Sequence, residues 1–178
     1  MSDRPLLDTG LFLMDFSRQA TTGFLAGFEG DTFVKRFTAD GSHAAYIVGH
    51  ITFTDDTTLN MLAGEAHTLS EPEQKLFGGG ATISETLADY PPQAELIEKM
   101  HAVRAKLVEY FKGLSPAELI APVEGPLAQF GDTRAKLMTS IAWNECFNGG
   151  QMSFLRRHVS IQSVFDMLEM VRSAEDAR

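Results

Sequence analysis

One helical stripe in the last third of the chain constrains the fold more than any other feature. Its six members follow a 4-3-4-3-4 spacing, which places them on one face of an α-helix. They are Leu137, Ile141, Asn144, Asn148, Gln151 and Leu155. Asn144 and Asn148 lie one turn apart in the middle of an otherwise apolar seam. Because buried amides are costly without partners, the sequence predicts a polar group that faces them from another helix.

Three more segments show helical periodicity. The four predicted helices span about 5–28, 43–62, 93–111 and 133–158. Ser42 is the predicted N-cap of the second helix, and Gly64 is predicted to end it. Either Asp132 or Thr133 is the predicted N-cap of the fourth helix. Four amphipathic helices of this length favour an all-α fold, a four-helix bundle.

The connections between the predicted helices differ in kind. Residues 69–92 contain three consecutive glycines and two consecutive prolines, which predicts a long, irregular crossover between the second and third helices. The sequence Ser115-Pro116-Ala117-Glu118 has the form of a capping box and predicts one short helical turn. A short apolar piece over 161–171 and a frayed tail are expected after the fourth helix.

Composition limits the class of protein. A chain of 178 residues is expected to form a single domain, 1–178, and no basic tract accompanies its net charge of −9, so nucleic acid is not an expected partner. Cys146 is the single cysteine, which fits a reducing, cytoplasmic location, and we expect it to be buried. The N-terminus lacks the pattern of a signal peptide, and no apolar run approaches the ~18 residues of a membrane helix.

Two motifs resemble those of the DinB-like (YfiT-like) four-helix bundle proteins. The run HAAYIVGHITFTDD is similar to the family's first motif, in which an aromatic residue, here Tyr46, precedes a metal-binding histidine, here His50. The run NECFNGGQMSFLRRHVSIQSVF is similar to the second motif, in which two histidines flank a glutamate and precede Gly-Gln. Glu145 matches the glutamate, but Asn144 and Asn148 stand where the family has histidines. The resemblance covers roughly residues 5–165.

The resemblance implies a divalent metal, such as Zn, Ni or Fe, held by His50 and by positions 144 and 148. Asn144 and Asn148 offer only neutral carbonyl oxygens, which are poor ligands for these ions. His43 lies about 10 Å along the helix from His50, too far to share one ion. His101 and Asp55 remain possible substitutes that the sequence does not place at the site. We therefore expect a degenerate site without a metal or other cofactor.

The expected site is a polar pocket between the second and fourth helices, formed by Tyr46, His50, Asn144, Asn148 and Gln151. These polar groups either satisfy one another in a buried cluster or line a pocket for a small-molecule ligand. The first interpretation is a binding or structural protein, a homodimer by family resemblance. The alternative is a metal-dependent transferase or hydrolase that uses a low-molecular-weight thiol, with a metal site rebuilt around His50. A third is a structural or regulatory dimer whose polar core only fixes helix register.

Overall fold

Helices make up the regular structure of residues 4–163, the part of the chain that the computed structural model describes. The α-helices are α1 (Pro5–Leu25), α2 (Ala44–Ala63), α3 (Glu71–Phe77), α4 (Gln93–Gly113), α5 (Pro116–Ile120) and α6 (Arg134–His158). Short 3₁₀ segments span Gly30–Val34, Leu87–Asp89 and Gly125–Gln129. The all-α prediction is thereby confirmed. Most of the predicted piece over 161–171 and the whole predicted tail lie outside the described residues.

The first and last long helices pack side by side in the same direction. Near their N-termini, Gly10 lies against Met138, whose sulfur would be 2.7 Å from a Cβ built on the glycine. Two turns further along, Ser17 donates a hydrogen bond to Glu145 at 3.3 Å. Since positions on both helices advance together, α1 and α6 run parallel.

The second and fourth helices form the other parallel pair. His43, at the start of α2, lies 3.1 Å from the hydroxyl of Tyr90, just before α4. Further along, Asp55 of α2 accepts a hydrogen bond from Arg104 of α4 at 2.7 Å. The segment 64–92 therefore connects two parallel helices and must return along the length of the bundle.

The two pairs run in opposite directions. Arg104 of α4 donates to the carbonyl of Met14 at 3.0 Å, whereas Arg18, one turn later in α1, donates to the carbonyl of Met100. As α1 advances, its contacts on α4 therefore move backwards. The four long helices thus point up, down, down and up in chain order, and helix α2 also contacts α6.

Local end signals explain most helix boundaries. Thr133 caps α6 by accepting from the backbone N–H of Lys136 at 3.3 Å, and Gly64 ends α2 with a left-handed φ of 68°. The predicted Ser42 cap of α2 is wrong. The imidazole of His43 takes that role, because its Nδ1 accepts from the backbone N–H of Tyr46 at 3.1 Å.

The crossover is less irregular than its sequence indicated. Ser70 and Glu73 form a capping box that opens α3, and the buried Phe77 ends it. The glycine run begins only after this helix, so it closes α3 instead of preventing a helix. Helix α1 ends at Leu25, before the Phe28 end that its periodicity indicated.

Candidate functional site

The two aromatic side chains of the first motif hold the end of α3 against α2. His50 Nδ1 lies 2.8 Å from the carbonyl oxygen of Phe77, and the Tyr46 hydroxyl donates to the carbonyl of Gly78 at 3.0 Å. Because a carbonyl can only accept, Nδ1 is the nitrogen that donates in this contact. The two rings are stacked with centroids 5.7 Å apart. Burial raises the pKa of Tyr46, so its hydroxyl stays protonated as the donor.

A glycine makes this arrangement possible. Gly49 precedes His50 and faces the buried ring of Phe77, which would lie 2.1 Å from a Cβ at that position. No side chain can occupy that space without displacing the ring. Gly49 therefore lets α3 approach α2 closely enough for the carbonyl of Phe77 to reach His50.

The amides on α6 find their partners without His50. Asn144 donates to the hydroxyl of Thr54 on α2 at 3.2 Å. Asn148 is buried, and its Nδ2 donates to the backbone oxygen of Asn144 at 2.8 Å and contacts its side-chain oxygen at 3.3 Å. Gln151, the remaining predicted member, is partly buried one turn further along α6. The polar group that faces the amides from the second helix is thus Thr54, one turn beyond His50.

The residues present do not fit a three-imidazole metal centre. The carbonyl of Phe77 orients His50 as it would orient a metal ligand, with Nε2 left available. Yet Asn144 and Asn148 bring amide groups that are already hydrogen-bonded to each other and to Thr54. Within residues 4–163, no group of three His, Cys, Asp or Glu side chains is placed to hold a metal ion.

The motif glutamate belongs to a buried network of four charges, one from each long helix. Glu145 accepts from Arg18 Nε at 2.5 Å and from Arg104 Nη2 at 2.7 Å. Asp55 pairs with the same two guanidinium groups, at 3.1 Å from Arg18 and 2.7 Å from Arg104. Asp55 was considered as a substitute metal ligand, but both its oxygens are engaged by these two arginines. The network balances two positive charges with two negative ones at the centre of the bundle.

The other candidate side chains lie elsewhere. His43 is buried at the start of α2, where its Nε2 lies 2.8 Å from the carbonyl of Ser84, and burial lowers its pKa. His101 is exposed on α4. Cys146 is exposed, which corrects the expected burial, because it lies on the outer face of α6. Partial burial still raises the pKa of its thiol.

A cavity of about 460 Å³ lies between α2 and α6, beside the amides. Its walls are largely apolar and include Phe53 and Met61 of α2, Trp143 of α6, and Phe130 from the segment before α6. The Asn144 and Thr54 side chains form one polar part of its wall. Its volume falls within the usual range for small-molecule sites, about 300–1,000 Å³. The predicted pocket residues Tyr46, His50, Asn148 and Gln151 do not line it.

Sequence reasoning missed most of this cavity. The second predicted helix has Thr54 and Met61 on the same inward stripe as His50, so the signal was present. Phe130 carried no signal, since its approach to α6 depends on the path of the 3₁₀ segment Gly125–Gln129.

Aromatic side chains also cover the outer face of α6. Trp143, Phe147 and Phe154 are all more than half exposed, and the rings of Trp143 and Phe147 are stacked with centroids 5.6 Å apart. With Gly150 they follow a 4-3-4 spacing, which makes them one stripe along the helix. Two methionines of the same helix, Met138 and Met152, are fully buried.

Comparison with known families agrees with this architecture. Within residues 4–163, no helix is long and apolar enough to cross a membrane. No curated protein matches the chain. The family model of the DinB superfamily matches residues 13–152, which include the whole first motif, the start of the second as far as Met152, and most of the 178 residues. The chain therefore belongs to the DinB superfamily.

Proposed function

We propose that this protein binds a small molecule in the cavity between α2 and α6, and that it does so without a metal. The cavity is the observation that carries the proposal. Apolar walls and a polar part formed by Asn144 and Thr54 give it the usual character of a ligand site. Helices α2 and α6 are the two elements that would carry the family's metal ligands. The proposed ligand cavity would therefore lie between the same two helices as the metal site, but would bind a small molecule instead of a metal.

We propose no metal because of the residues that occupy the family's metal-ligand positions. Asn144 and Asn148 use their amides to hydrogen-bond each other and Thr54. His50 supplies a single imidazole nitrogen, which alone binds these ions weakly. The thiol-dependent transferase or hydrolase alternative needs a metal to activate the thiolate, and no observation favours it.

Metal content is the first test. Protein purified without chelator should contain far less than one equivalent of Zn, Ni, Fe or Mn by elemental analysis. Near-stoichiometric metal that disappears in a His50→Ala variant would overturn the metal-free proposal. Turnover of an electrophile with a low-molecular-weight thiol that requires both added metal and His50 would favour the alternative instead.

Ligand binding is the second test. Trp143 is the single tryptophan of the chain and lines the cavity, so its fluorescence reports on the site directly. Thr57 is partly buried in the cavity wall, and a Thr57→Phe variant would fill the space with a phenyl ring. A library of small apolar compounds should yield ligands that change Trp143 emission in the wild type and not in Thr57→Phe. The control is Thr9→Phe on the exposed face of α1.

We also propose that the protein is a homodimer that associates through the aromatic stripe of α6. Between residues 137 and 155 the one charged residue is Glu145, which is fully buried. Two copies that each carry a net charge of −9 can approach most easily on such an uncharged face. Light scattering should give the dimer mass for the wild type and the monomer mass for Phe147→Glu. The control Ala102→Glu, on the exposed face of α4, should remain dimeric.

A further inference from the structure

We infer that the cavity selects a neutral molecule with an apolar, ring-sized body and one hydroxyl or carbonyl group, which hydrogen-bonds to the side chain of Thr57. This inference rests on the proposed binding function and assigns its ligand class and a specificity-determining residue. It follows from three properties of the cavity: its walls, its charge and its unused hydrogen-bonding capacity.

The walls call for an apolar, flat body. Phe53, Phe130 and Trp143 contribute aromatic surface, and Leu127 and Ile141 contribute aliphatic surface. Aromatic rings bury a large apolar area and favour stacked or edge-on contact with another ring. Phe130 is also largely exposed, so a bound ring would cover part of its apolar surface.

The charge of the cavity excludes ions. Asp55 is the one charged residue among the described residues that line it. Its carboxylate is neutralised by Arg18 and Arg104, which are themselves balanced by Glu145. A ligand carboxylate would find no cation in the lining to pair with, and a ligand ammonium group would find no unpaired carboxylate. Either ion would lose its hydration without compensation.

The buried side-chain oxygen without a partner in the described cavity wall belongs to Thr57. Most other hydroxyls in the wall have backbone partners: Thr54 donates to the carbonyl of Ile51 at 2.9 Å, Thr58 to that of Thr54 at 2.7 Å, and Ser140 to that of Phe130. The Thr57 oxygen is buried and has no hydrogen-bond partner within residues 4–163. A buried hydroxyl without a partner carries a desolvation penalty, and rotation of the Thr57 side chain to turn this oxygen into the cavity would let a ligand hydroxyl or carbonyl remove that penalty.

The experiment compares three probes that share a bromophenyl ring. Bromobenzene has no polar group, 4-bromobenzyl alcohol carries a neutral one, and 4-bromobenzoate carries a negative charge. The bromine atom quenches the emission of Trp143 on contact, and because Trp143 is also open to collision with free probe, only quenching that saturates with probe concentration is taken as occupancy of this cavity. Each probe is titrated into the wild type, Thr57→Val, Thr57→Ser and the distant control Thr9→Val, with circular dichroism to verify folding.

The alcohol should bind the wild type at least tenfold more tightly than the benzoate. Thr57→Val should weaken alcohol binding by about three- to tenfold, the range that one net hydrogen bond supplies. Thr57→Ser and Thr9→Val should retain wild-type affinity, and bromobenzene should bind Thr57→Val as well as it binds the wild type. Because the Thr57 hydroxyl has no protein partner, Thr57→Val should fold normally.

The outcomes separate the ligand class from the proposed function. Benzoate binding equal to or tighter than alcohol binding would overturn the neutral class while leaving a binding function in place. An alcohol affinity that is unchanged in Thr57→Val would overturn the role of Thr57. If none of the probes quenches Trp143 or raises the melting temperature, both the ligand class and the proposed function fail.

Discussion

Replacing Glu145 with glutamine removes one charge from the buried network without changing the size of the side chain. Glu145 is fully buried and accepts from Arg18 at 2.5 Å and from Arg104 at 2.7 Å. After the substitution, two guanidinium groups share the single carboxylate of Asp55. The NH₂ of the new amide must also face a guanidinium, which places two donors together in place of one hydrogen bond.

The expected loss is large for one substitution. Breaking a buried ion pair by removing one partner costs about 3–5 kcal/mol, because the other charge stays buried without compensation. With a urea dependence of about 2 kcal/mol per M, the unfolding midpoint should fall by roughly 2 M. Urea titration followed by circular dichroism measures the midpoint. An unchanged dependence of the unfolding free energy on urea concentration would show that unfolding still exposes the same amount of surface.

Two controls isolate the effect of burial. Glu109 forms a similar ion pair with Lys112 at 2.8 Å, but its side chain is 71% exposed, so Glu109→Gln should cost less than about 1 kcal/mol. Removing Arg104 together with Glu145, as Arg104→Met and Glu145→Leu, restores charge balance and should cost less than the sum of the single substitutions. If Glu145→Gln costs no more than Glu109→Gln, the structural role assigned to the motif glutamate is refuted.

Three further predictions follow from local features. Gly49→Ala should lower the free energy of unfolding by about 1–3 kcal/mol in urea titrations, because its methyl group would overlap the ring of Phe77, whereas Gly23→Ala, with open space around it, should be neutral or stabilising. Burial lowers the pKa of His43, so the unfolded chain binds its proton more readily; stability should fall as pH drops below about 6.5, and His43→Asn should remove this dependence in unfolding measured between pH 5 and 7.5. Cys146 is exposed but has a raised pKa, so Ellman's reagent should label it in the monomeric Phe147→Glu variant more slowly at pH 7 than it labels glutathione, and complete protection in that variant would contradict the exposed position.

Several features of the fold could be predicted because their causes are local. The long helices are marked by apolar residues three and four positions apart, and their ends by caps such as Thr133 and Gly64, where the stabilising contact lies within four residues. The start of α3 carries the same kind of local signal, since Ser70 and Glu73 form a capping box. The glycines that follow α3 instead favour an irregular loop over this segment.

The candidate site was only partly predictable. Asn144 and Asn148 were correctly identified as amides that require polar partners, because their spacing on one helical face is local information. That the partner is Thr54 and not His50 depends on how α2 is rotated and shifted relative to α6. His50 instead bonds to Phe77, which is brought near by the packing of α3 on Gly49.

The sequence by itself thus determined the helices, most of their ends, the all-α class and the pair of neighbouring amides that need polar partners, since each depends on residues close together in the chain. Tertiary structure decided which helix faces which, and therefore decided every contact between residues that are far apart in the sequence. The charge network takes Arg18, Asp55, Arg104 and Glu145 from four different helices. No periodicity within one helix can reveal such a set, because long-range pairing depends on the relative rotation and register of packed helices.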